Sequence, residues 1–155
     1  MANAFHYELA VTWTGNTGQG TKDYRSYERS HVVTAPGKPD LVGSSDPKFK
    51  GDPKRWNPEE LLLASLSACH MLWYLHLCSE QKIIVTEYVD RPTGEMIVEP
   101  TGSGCFKEAT MRPSIVITDA SRIADAEKLH HEAHKKCFIA NSVNFPVKVE
   151  SSIRV

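Results

Sequence analysis

The chain has 155 residues, a length that predicts one domain with room for a hydrophobic core. Its 18 Lys and Arg residues against 19 Asp and Glu give a net charge of −1, which argues against nucleic acid as a partner. The four cysteines are far apart and form no CxxC pair, so we expect free thiols in a cytoplasmic protein. The N-terminal stretch lacks the charged and apolar regions of a signal peptide.

The N-terminal third predicts a β-hairpin followed by a long loop. An alternation of apolar with polar or small residues predicts a half-buried first strand, with the apolar side chains at Phe5, Tyr7, Leu9, Val11 and Trp13. A glycine-rich turn over residues 15–20 leads to a second strand at about Thr21–Thr34. The segment Ala35–Arg55 holds four of the nine prolines. We weigh a functional or partner-binding loop against a flexible, solvated one.

The segment 56–81 predicts a long central helix around Cys69. Asn57 suits the N-cap and Glu60 stands three residues later, as in a capping box. From Leu61 to Cys78 the apolar residues cover nearly every direction of the helix, which is typical of a helix buried on all sides or placed in a membrane. Interspersed serines, histidines and a tyrosine would lack partners in lipid, so we predict a central helix buried in the protein and no membrane span.

The second half of the chain predicts three strands, a second helix and a last strand. The strands are expected at Ile83–Asp90, Glu95–Glu99 and Cys105–Ile117, the helix from about residue 118 to Lys136, and the last strand after Pro146. The element order ββ–α–βββ–α–β, with hairpins in place of βαβ units, points to an α+β fold on antiparallel sheets.

Two cysteines on the predicted helices are candidates for redox chemistry. Cys69 and Cys137 both point at one core, where they could approach to disulfide range, about 5.5–6 Å between Cα atoms. One thiolate would attack a peroxide to give a sulfenic acid, and the second thiol would resolve it to a disulfide. The alternative, two buried cysteines that only fill the core, stays open. We interpret Cys78 and Cys105 as structural.

Glu59 lies ten residues before Cys69, which is about 15 Å along a continuous helix. The two side chains therefore cannot meet within one helix. If they work together, the helix breaks or a second copy of the chain supplies the glutamate, as in a two-fold dimer. The alternative role of Glu59 is to complement the helix dipole in the first turn.

Histidines on the two helices offer a further alternative. His130, His134 and Cys137 fall at i, i+4 and i+7, a spacing that could bind zinc, although no HExxH pattern supports it. His70 and His76 on the central helix are expected to be hydrogen-bonded core residues.

Two motifs carry a resemblance to a known family. Residues 57–61, NPEEL, lead into residues 64–69, ASLSAC, with a ten-residue step from Glu59 to Cys69. Residues 137–143, CFIANSV, form the segment with the second cysteine. With the element order, these motifs resemble the OsmC/Ohr family of thiol-dependent hydroperoxide reductases over nearly the whole chain.

The resemblance implies an OsmC-like fold over residues 1–155 and an intertwined homodimer with active sites at the subunit interface. It implies that Cys69 is the peroxidatic thiol and Cys137 the resolving thiol. Glu59 would help to hold an arginine that stabilises the Cys69 thiolate. The glycine-rich turn contains no arginine, which leaves Arg29 and Arg55 as the preferred candidates, ahead of Arg25.

We therefore expect a thiol-dependent peroxidase that reduces organic hydroperoxides, with no metal, flavin or haem and with an external dithiol, lipoyl-type or other, as reductant. Apolar residues near the cysteines should favour organic over hydrogen peroxide; they are Met71, Leu72, Trp73 and Phe138. The rival is a non-catalytic module of the same fold that binds an apolar ligand or senses redox state. A metal site on the second helix is the other rival.

Overall fold

The computed structural model describes residues 3–155, and the chain forms two compact units that meet in sequence between Leu61 and Leu62. The expected α+β class is confirmed: two long helices, α1 (Pro58–Glu80) and α2 (Ile123–Lys136), accompany nine strands within the described residues. That the chain forms one domain over residues 1–155 stays a prediction.

The first unit holds a three-stranded antiparallel sheet. Its strands β1 (Ala10–Trp13), β2 (His31–Thr34) and β3 (Leu41–Gly43) lie in that order, with Ala10 opposite Thr34 and His31 opposite Gly43. The expected pairing of the first two strands is confirmed. The third strand was not predicted, and it lies inside the segment interpreted as a loop, which also contains the short 3-10 helix Pro47–Phe49.

Both predicted N-terminal strands are shorter than expected. Local hydrogen bonds hold the residues before His31 in turns: the Asn16 side chain accepts the N–H groups of Gly18 and Gly20, at 2.9 and 3.0 Å. The first strand was also expected to be half-buried, but every residue of β1 is exposed. The alternating apolar side chains before and within it are exposed as well, including Tyr7 at 92%.

Helix α1 begins with the predicted capping box. The Asn57 side chain accepts the Glu60 N–H at 2.8 Å, and the Glu60 carboxylate accepts the Asn57 N–H at 3.2 Å. Burial on all sides was expected and is wrong for the single chain. The buried residues lie on one face, at Leu66, His70, Tyr74, Leu77 and Cys78. The opposite face leaves Ala64, Ala68, Leu72 and His76 exposed, four residues apart.

Within the described residues, α1 is the one helix long and apolar enough to cross a membrane. Its most apolar window has a mean hydropathy of 1.5, and 28% of that window is buried inside the protein. Core helices of soluble proteins have the same length and composition, so this finding leaves the prediction of a core helix in place.

The second unit holds two three-stranded sheets. One has the order β4 (Val85–Asp90), β7 (Pro113–Ile117), β9 (Ser152–Arg154), and the other β5 (Thr93–Val98), β6 (Gly104–Met111), β8 (Val147–Val149). The β4–β7 and β5–β6 pairs are antiparallel, whereas β9 and β8 pair in parallel with their neighbours. The sheets are therefore mixed, where antiparallel sheets were expected.

The single strand expected over Cys105–Ile117 is two strands in two sheets. The chain changes sheet at Arg112, whose N–H donates to the Asp90 carboxylate at 2.6 Å and whose guanidinium donates to Thr93 and Glu150. The C-terminal strand divides in the same way into β8 and β9.

The core of this unit is built by α1, α2 and the first of these sheets. Its buried members are Tyr74, Leu77, Cys78, Ile83, Ile115, Ile117, Ala126 and Ala133. Burying these apolar side chains is the main stabilising contribution to the unit.

Candidate functional site

The thiols of Cys69 and Cys137 are neighbours in the second unit. Cys69 is half-buried on α1, and Cys137 is fully buried at the residue that caps the end of α2. Burial raises the pKa of the Cys137 thiol to about 11, and interaction with the Cys69 thiol contributes to the increase. The structure therefore brings together the two cysteines predicted to react with each other, one accessible from outside and one enclosed.

The backbone after α2 contacts the Cys137 sulfur directly. The Ala140 N–H donates to Sγ at 3.4 Å, and this donor acts against burial by lowering the pKa of the thiol. The short 3-10 helix Ala140–Ser142 supplies this N–H, so residues 137–143 turn around the sulfur. A donor at the sulfur stabilises negative charge that develops there during thiol exchange.

Aromatic side chains lie beside the two thiols. Trp73 is one helical turn after Cys69, on the same face of α1. Its ring packs edge-to-face on Phe138, with 5.5 Å between centroids, and the Lys136 ammonium lies 5.5 Å from its centroid. Trp73 lines an apolar cavity of about 290 Å³ together with Leu72 and His76.

The other two cysteines are not part of this pair. Cys78 is buried in the core of the second unit, as expected for a structural cysteine, and burial raises the pKa of its thiol. Cys105 is exposed on β6, so it does not fill the core. All four cysteines are free thiols.

The two candidate arginines have different surroundings within the first unit. The Arg29 guanidinium lies 4.1 Å from the ring centroid of Tyr24 and 4.2 Å from that of Tyr27. It donates to the carbonyls of the same residues, at 2.8 Å for Tyr24 and 2.6 Å for Tyr27. Arg55 forms an ion pair with Asp52, with 3.4 Å between Nε and Oδ2. Arg29 is thus fixed by contacts with two tyrosine rings, whereas Arg55 is held by one partly exposed ion pair.

Both arginines line a polar cavity of about 450 Å³ in the first unit, to which Lys50 also contributes.

Glu59 lies in the first turn of α1. Its Oε2 atom is buried and has no hydrogen-bond partner in the part of the chain that the structure describes. A buried carboxylate oxygen without a donor is costly, so this atom is a place where a cation or hydrogen-bond donor would be stabilising.

The second unit also contains a buried histidine pair that sequence reasoning did not find. His70 on α1 and His130 on α2 are connected by a 3.0 Å contact between Nε2 and Nδ1. The Tyr74 ring stacks on His130, with 3.9 Å between centroids. Burial lowers the pKa of His70 to about 4 and that of His130 to about 3, so both rings are neutral at neutral pH.

The prediction that His70 is a hydrogen-bonded core residue is confirmed, and the same prediction for His76 is wrong. His76 is exposed, and its Nε2 atom lies 3.6 Å from Oε1 of Glu80. The partner of His70 lies sixty residues away in the chain, so spacing within one helix gives no signal for the pair. The available signal was two histidines on the apolar faces of two different helices.

The zinc set suggested by spacing does not assemble. The Cys137 sulfur lies beside Cys69 and accepts the Ala140 N–H. Residues 3–155 contain no group of three or more His, Cys, Asp or Glu side chains placed to hold a metal ion.

A family model described as "OsmC-like protein" matches residues 51–152, about two thirds of the chain and all of the segment that carries both cysteines. The chain belongs to the OsmC-like family. The resemblance predicted from the NPEEL and CFIANSV motifs is therefore confirmed, and the α+β architecture is that of OsmC-like proteins. No curated protein matches the sequence.

Several solved structures share this fold. An OsmC-like protein of unknown function from Vibrio cholerae is 30% identical, with a TM-score of 0.86 over 96% of this chain and 100% of its own. An organic hydroperoxide resistance protein from Elizabethkingia anophelis is 21% identical, with a TM-score of 0.71 over 97% and 99% of the two chains. One from Legionella pneumophila is 19% identical, with a TM-score of 0.66 over 99% and 100%. The fold is thus shared with hydroperoxide resistance proteins and with a protein of unknown function.

Proposed function

We propose that this protein is a thiol-dependent peroxidase that reduces organic hydroperoxides. The observation that carries the proposal is the pair of neighbouring thiols, the half-buried Cys69 and the enclosed Cys137. Membership of the OsmC-like family, whose fold is shared with hydroperoxide resistance proteins, supports it. The accessible thiol is the better placed of the two to meet a peroxide from solvent, which makes Cys69 the attacking residue.

The reaction balances without a metal or cofactor. The Cys69 thiolate attacks the outer oxygen of ROOH, the O–O bond breaks, and a proton converts the leaving alkoxide to ROH. Cys137 then attacks the sulfur of the sulfenic acid, which forms a Cys69–Cys137 disulfide and releases water. An external dithiol reduces this disulfide and becomes oxidised itself, which restores both thiols.

The side chains beside the thiols favour an organic substrate. The edge-to-face rings of Trp73 and Phe138 and the exposed Leu72 form an apolar surface next to the pair. Removing an apolar R group from water onto such a surface is stabilising, and hydrogen peroxide has no such group. Binding energy therefore discriminates in favour of alkyl and aryl hydroperoxides.

We also propose that a guanidinium stabilises the Cys69 thiolate and that Glu59 orients it. Because α1 is continuous from Pro58 to Glu80, this Glu59 would belong to the second copy of the chain in a dimer. The buried, unpartnered Oε2 of Glu59 supports a requirement for a cation there. Of the two candidates, Arg29 is the more rigid, because two tyrosine rings and two carbonyls fix it. Replacing Arg29 and Arg55 separately with lysine distinguishes them. Replacement of the arginine that stabilises the thiolate should slow peroxide reduction, and replacement of the other should not.

A homodimer forms part of the proposal. The N-terminal apolar residues, such as Tyr7, are exposed in the single chain, and so is the Ala64, Ala68 and Leu72 face of α1. Exposed apolar side chains of this kind, on each unit taken by itself, are typical of an interface. Light scattering after size-exclusion chromatography should give twice the mass of the 17.3 kDa chain.

We place the protein in the cytoplasm, where its cysteines would stay reduced.

Turnover measurements test the activity. Purified protein should consume cumene hydroperoxide in the presence of a dithiol, and Cys69→Ser should abolish this. Without the dithiol, Cys137→Ser should reduce one equivalent of peroxide and stop at the Cys69 sulfenic acid, whereas the wild type should stop at the disulfide, because the variant has no resolving thiol. Cys105→Ser is the matched control, since Cys105 is exposed on β6 and should leave turnover unchanged.

The non-catalytic rival gives a different result in the same assay. A ligand-binding or sensing module would show no multiple turnover in the wild type. Its binding of an apolar ligand would survive Cys137→Ser. Turnover that depends on both thiols would exclude this rival.

A further inference from the structure

The polar cavity of the first unit differs in character from the apolar surface beside the thiols. It has a volume of about 450 Å³, and its lining consists of charged side chains, two serines and one glycine, without an apolar side chain among the described residues. Small-molecule pockets of this size are usually lined mainly by apolar groups. A wholly polar lining suits a hydrophilic ligand, which separates this cavity from the apolar hydroperoxide of the proposed function.

Two cations at this cavity have hydrogen-bond donors that no group of the described chain uses. Lys50 takes part in none of the ion pairs within residues 3–155. Arg55 contacts Asp52 through Nε, and its two terminal nitrogens have no hydrogen bond in that part of the chain. The third cation, Arg29, already donates to two carbonyls. Three cationic and two acidic side chains line the cavity, so the lining has an excess of one positive charge.

The backbone at Lys50 has a conformation that favours glycine. Its φ of 63° lies in the left-handed region, at the residue that ends the 3-10 helix Pro47–Phe49. The turn is fixed by the N–H groups of Lys50 and Gly51, which donate to the carbonyls of Pro47 and Asp46 at 3.0 and 3.1 Å. A lysine is strained there, and strained residues concentrate at functional sites. The charge of its side chain at the cavity is a physical reason for a lysine at this position.

Buried hydroxyl groups belong to the same lining. Ser44 is 1% exposed, and its hydroxyl accepts the Asp52 N–H at 3.1 Å. A hydroxyl has one proton to donate, and that of Ser44 has no acceptor among the described residues. Ser30 is 8% exposed and donates to the Glu28 carboxylate at 3.3 Å, which leaves both of these groups able to accept further hydrogen bonds. The lining therefore offers both donors and acceptors to a ligand.

We propose that this cavity binds a small hydroxylated organic acid with a single carboxylate. The planar guanidinium of Arg55 and the ammonium of Lys50 bind the carboxylate, and the Ser44 hydroxyl donates to it. Glu28 and Ser30 accept hydrogen bonds from the hydroxyl groups of the ligand. One excess positive charge matches one carboxylate, whereas the second charge of a phosphate would be repelled by the two acidic side chains.

Titration with gluconate at constant ionic strength, followed by amide NMR, tests the proposal. Gluconate carries one carboxylate and several hydroxyl groups, and glucose is an uncharged match for its size. Gluconate should saturate one site per chain, with shifts centred on residues 28–30 and 44–55. Glucose should give no such shifts, and phosphate should bind more weakly than gluconate. Equal binding of glucose, or tighter binding of phosphate, would overturn the proposal.

Two lysines of the same segment give a matched pair of variants. Lys50→Gln should weaken gluconate binding by about tenfold or more, the loss expected for a hydrogen bond to a charged group. Lys54→Gln removes an exposed lysine that does not line the cavity and should leave the affinity nearly unchanged. Equal affinities of the two variants would contradict the assignment of the carboxylate to Lys50.

Lys50→Gly separates loss of the site from loss of the fold. Glycine fits the left-handed backbone, so this variant should unfold at a higher urea concentration than the wild type and still lose gluconate binding. Loss of binding together with a lower urea midpoint would overturn the argument, because Lys50 would then serve the fold. Cys69→Ser should bind gluconate as the wild type does, so failure of this proposal is distinguishable from failure of the peroxidase proposal.

Discussion

The buried pair of His70 and His130 should make the fold sensitive to mild acid. Burial lowers the pKa of His70 from 6.5 to about 4 and that of His130 from 6.5 to about 3. Above pH 6.5 both histidines are neutral in the folded and the unfolded chain, so they add no pH dependence. Below it the unfolded chain takes up protons that the folded chain does not, and the free energy of unfolding therefore falls as the pH falls.

The size of the loss at pH 5 follows from the unfolded state. At pH 5 both rings are still largely neutral in the folded protein. This pH lies about 1.5 units below the pKa of a histidine in the unfolded chain. Protonation of the unfolded chain therefore lowers the free energy of unfolding by about 2 kcal/mol for each residue and about 4 kcal/mol for both. The free energy of unfolding of a domain is commonly only about 5–15 kcal/mol, so a loss of about 4 kcal/mol is a large part of it.

Urea unfolding between about pH 7.5 and pH 5, with a chelator present, measures the effect. The slope of unfolding free energy against pH gives the number of protons taken up on unfolding. His130→Phe removes one buried imidazole and should lower that number by about one. His76→Ala removes an exposed histidine from α1 and serves as the control. Equal slopes for wild type and His130→Phe would refute the reasoning.

Three further substitutions test the cap, the substrate surface and an inter-element hydrogen bond. Asn57→Ala should lower the free energy of unfolding by about 1 kcal/mol, because it removes the side-chain cap of α1; an unchanged urea midpoint would contradict this. Trp73→Ala should lower kcat/KM for cumene hydroperoxide by up to about tenfold relative to hydrogen peroxide, whereas equal losses would argue against the apolar surface. Ser67→Ala should cost about 1–2 kcal/mol, since the hydroxyl donates to the Asp90 carboxylate. The matched Ser65→Ala, whose hydroxyl bonds only to the backbone of its own helix, should cost less.

The local features of the helices could be predicted from the sequence. The capping box of Asn57 and Glu60 requires residues only three apart, and the structure contains both of its hydrogen bonds. The end of α2 was also predicted from nearby residues: the helix was expected to end at about Lys136, and it does. Such features depend on backbone groups within one turn, so nearby residues determine them.

Strand partners were not predictable in the same way. The residues around Arg112 alternate like one strand, but the chain changes sheet there because Arg112 bonds to Asp90, Thr93 and Glu150. The parallel pairings of β8 and β9 depend on the same distant partners. Hydrophobic alternation identifies the face of a strand and says nothing about which strand lies beside it.

Burial of α1 was predicted from its own composition, and there the chain differs from the expectation. An all-round apolar helix was interpreted as enclosed, but Ala64, Ala68 and Leu72 are exposed in the single chain. The composition of a helix indicates how much of its surface avoids water, and it cannot say whether the cover comes from the same chain or from another. The neighbouring thiols of Cys69 and Cys137 were expected from a motif, whereas the His70–His130 pair needed the tertiary structure.

Mass spectrometry of the reduced protein after one equivalent of an alkyl hydroperoxide tests the central claim most directly. Peptide mapping of the wild type should show a disulfide between Cys69 and Cys137, and the Cys137→Ser variant should carry a trapped sulfenic acid at Cys69. Cys105, which is exposed, reports whether any accessible thiol would react under the same conditions. If Cys69 and Cys137 stay reduced while Cys105 is oxidised, the two thiols are not a peroxidatic pair and the proposed function is wrong.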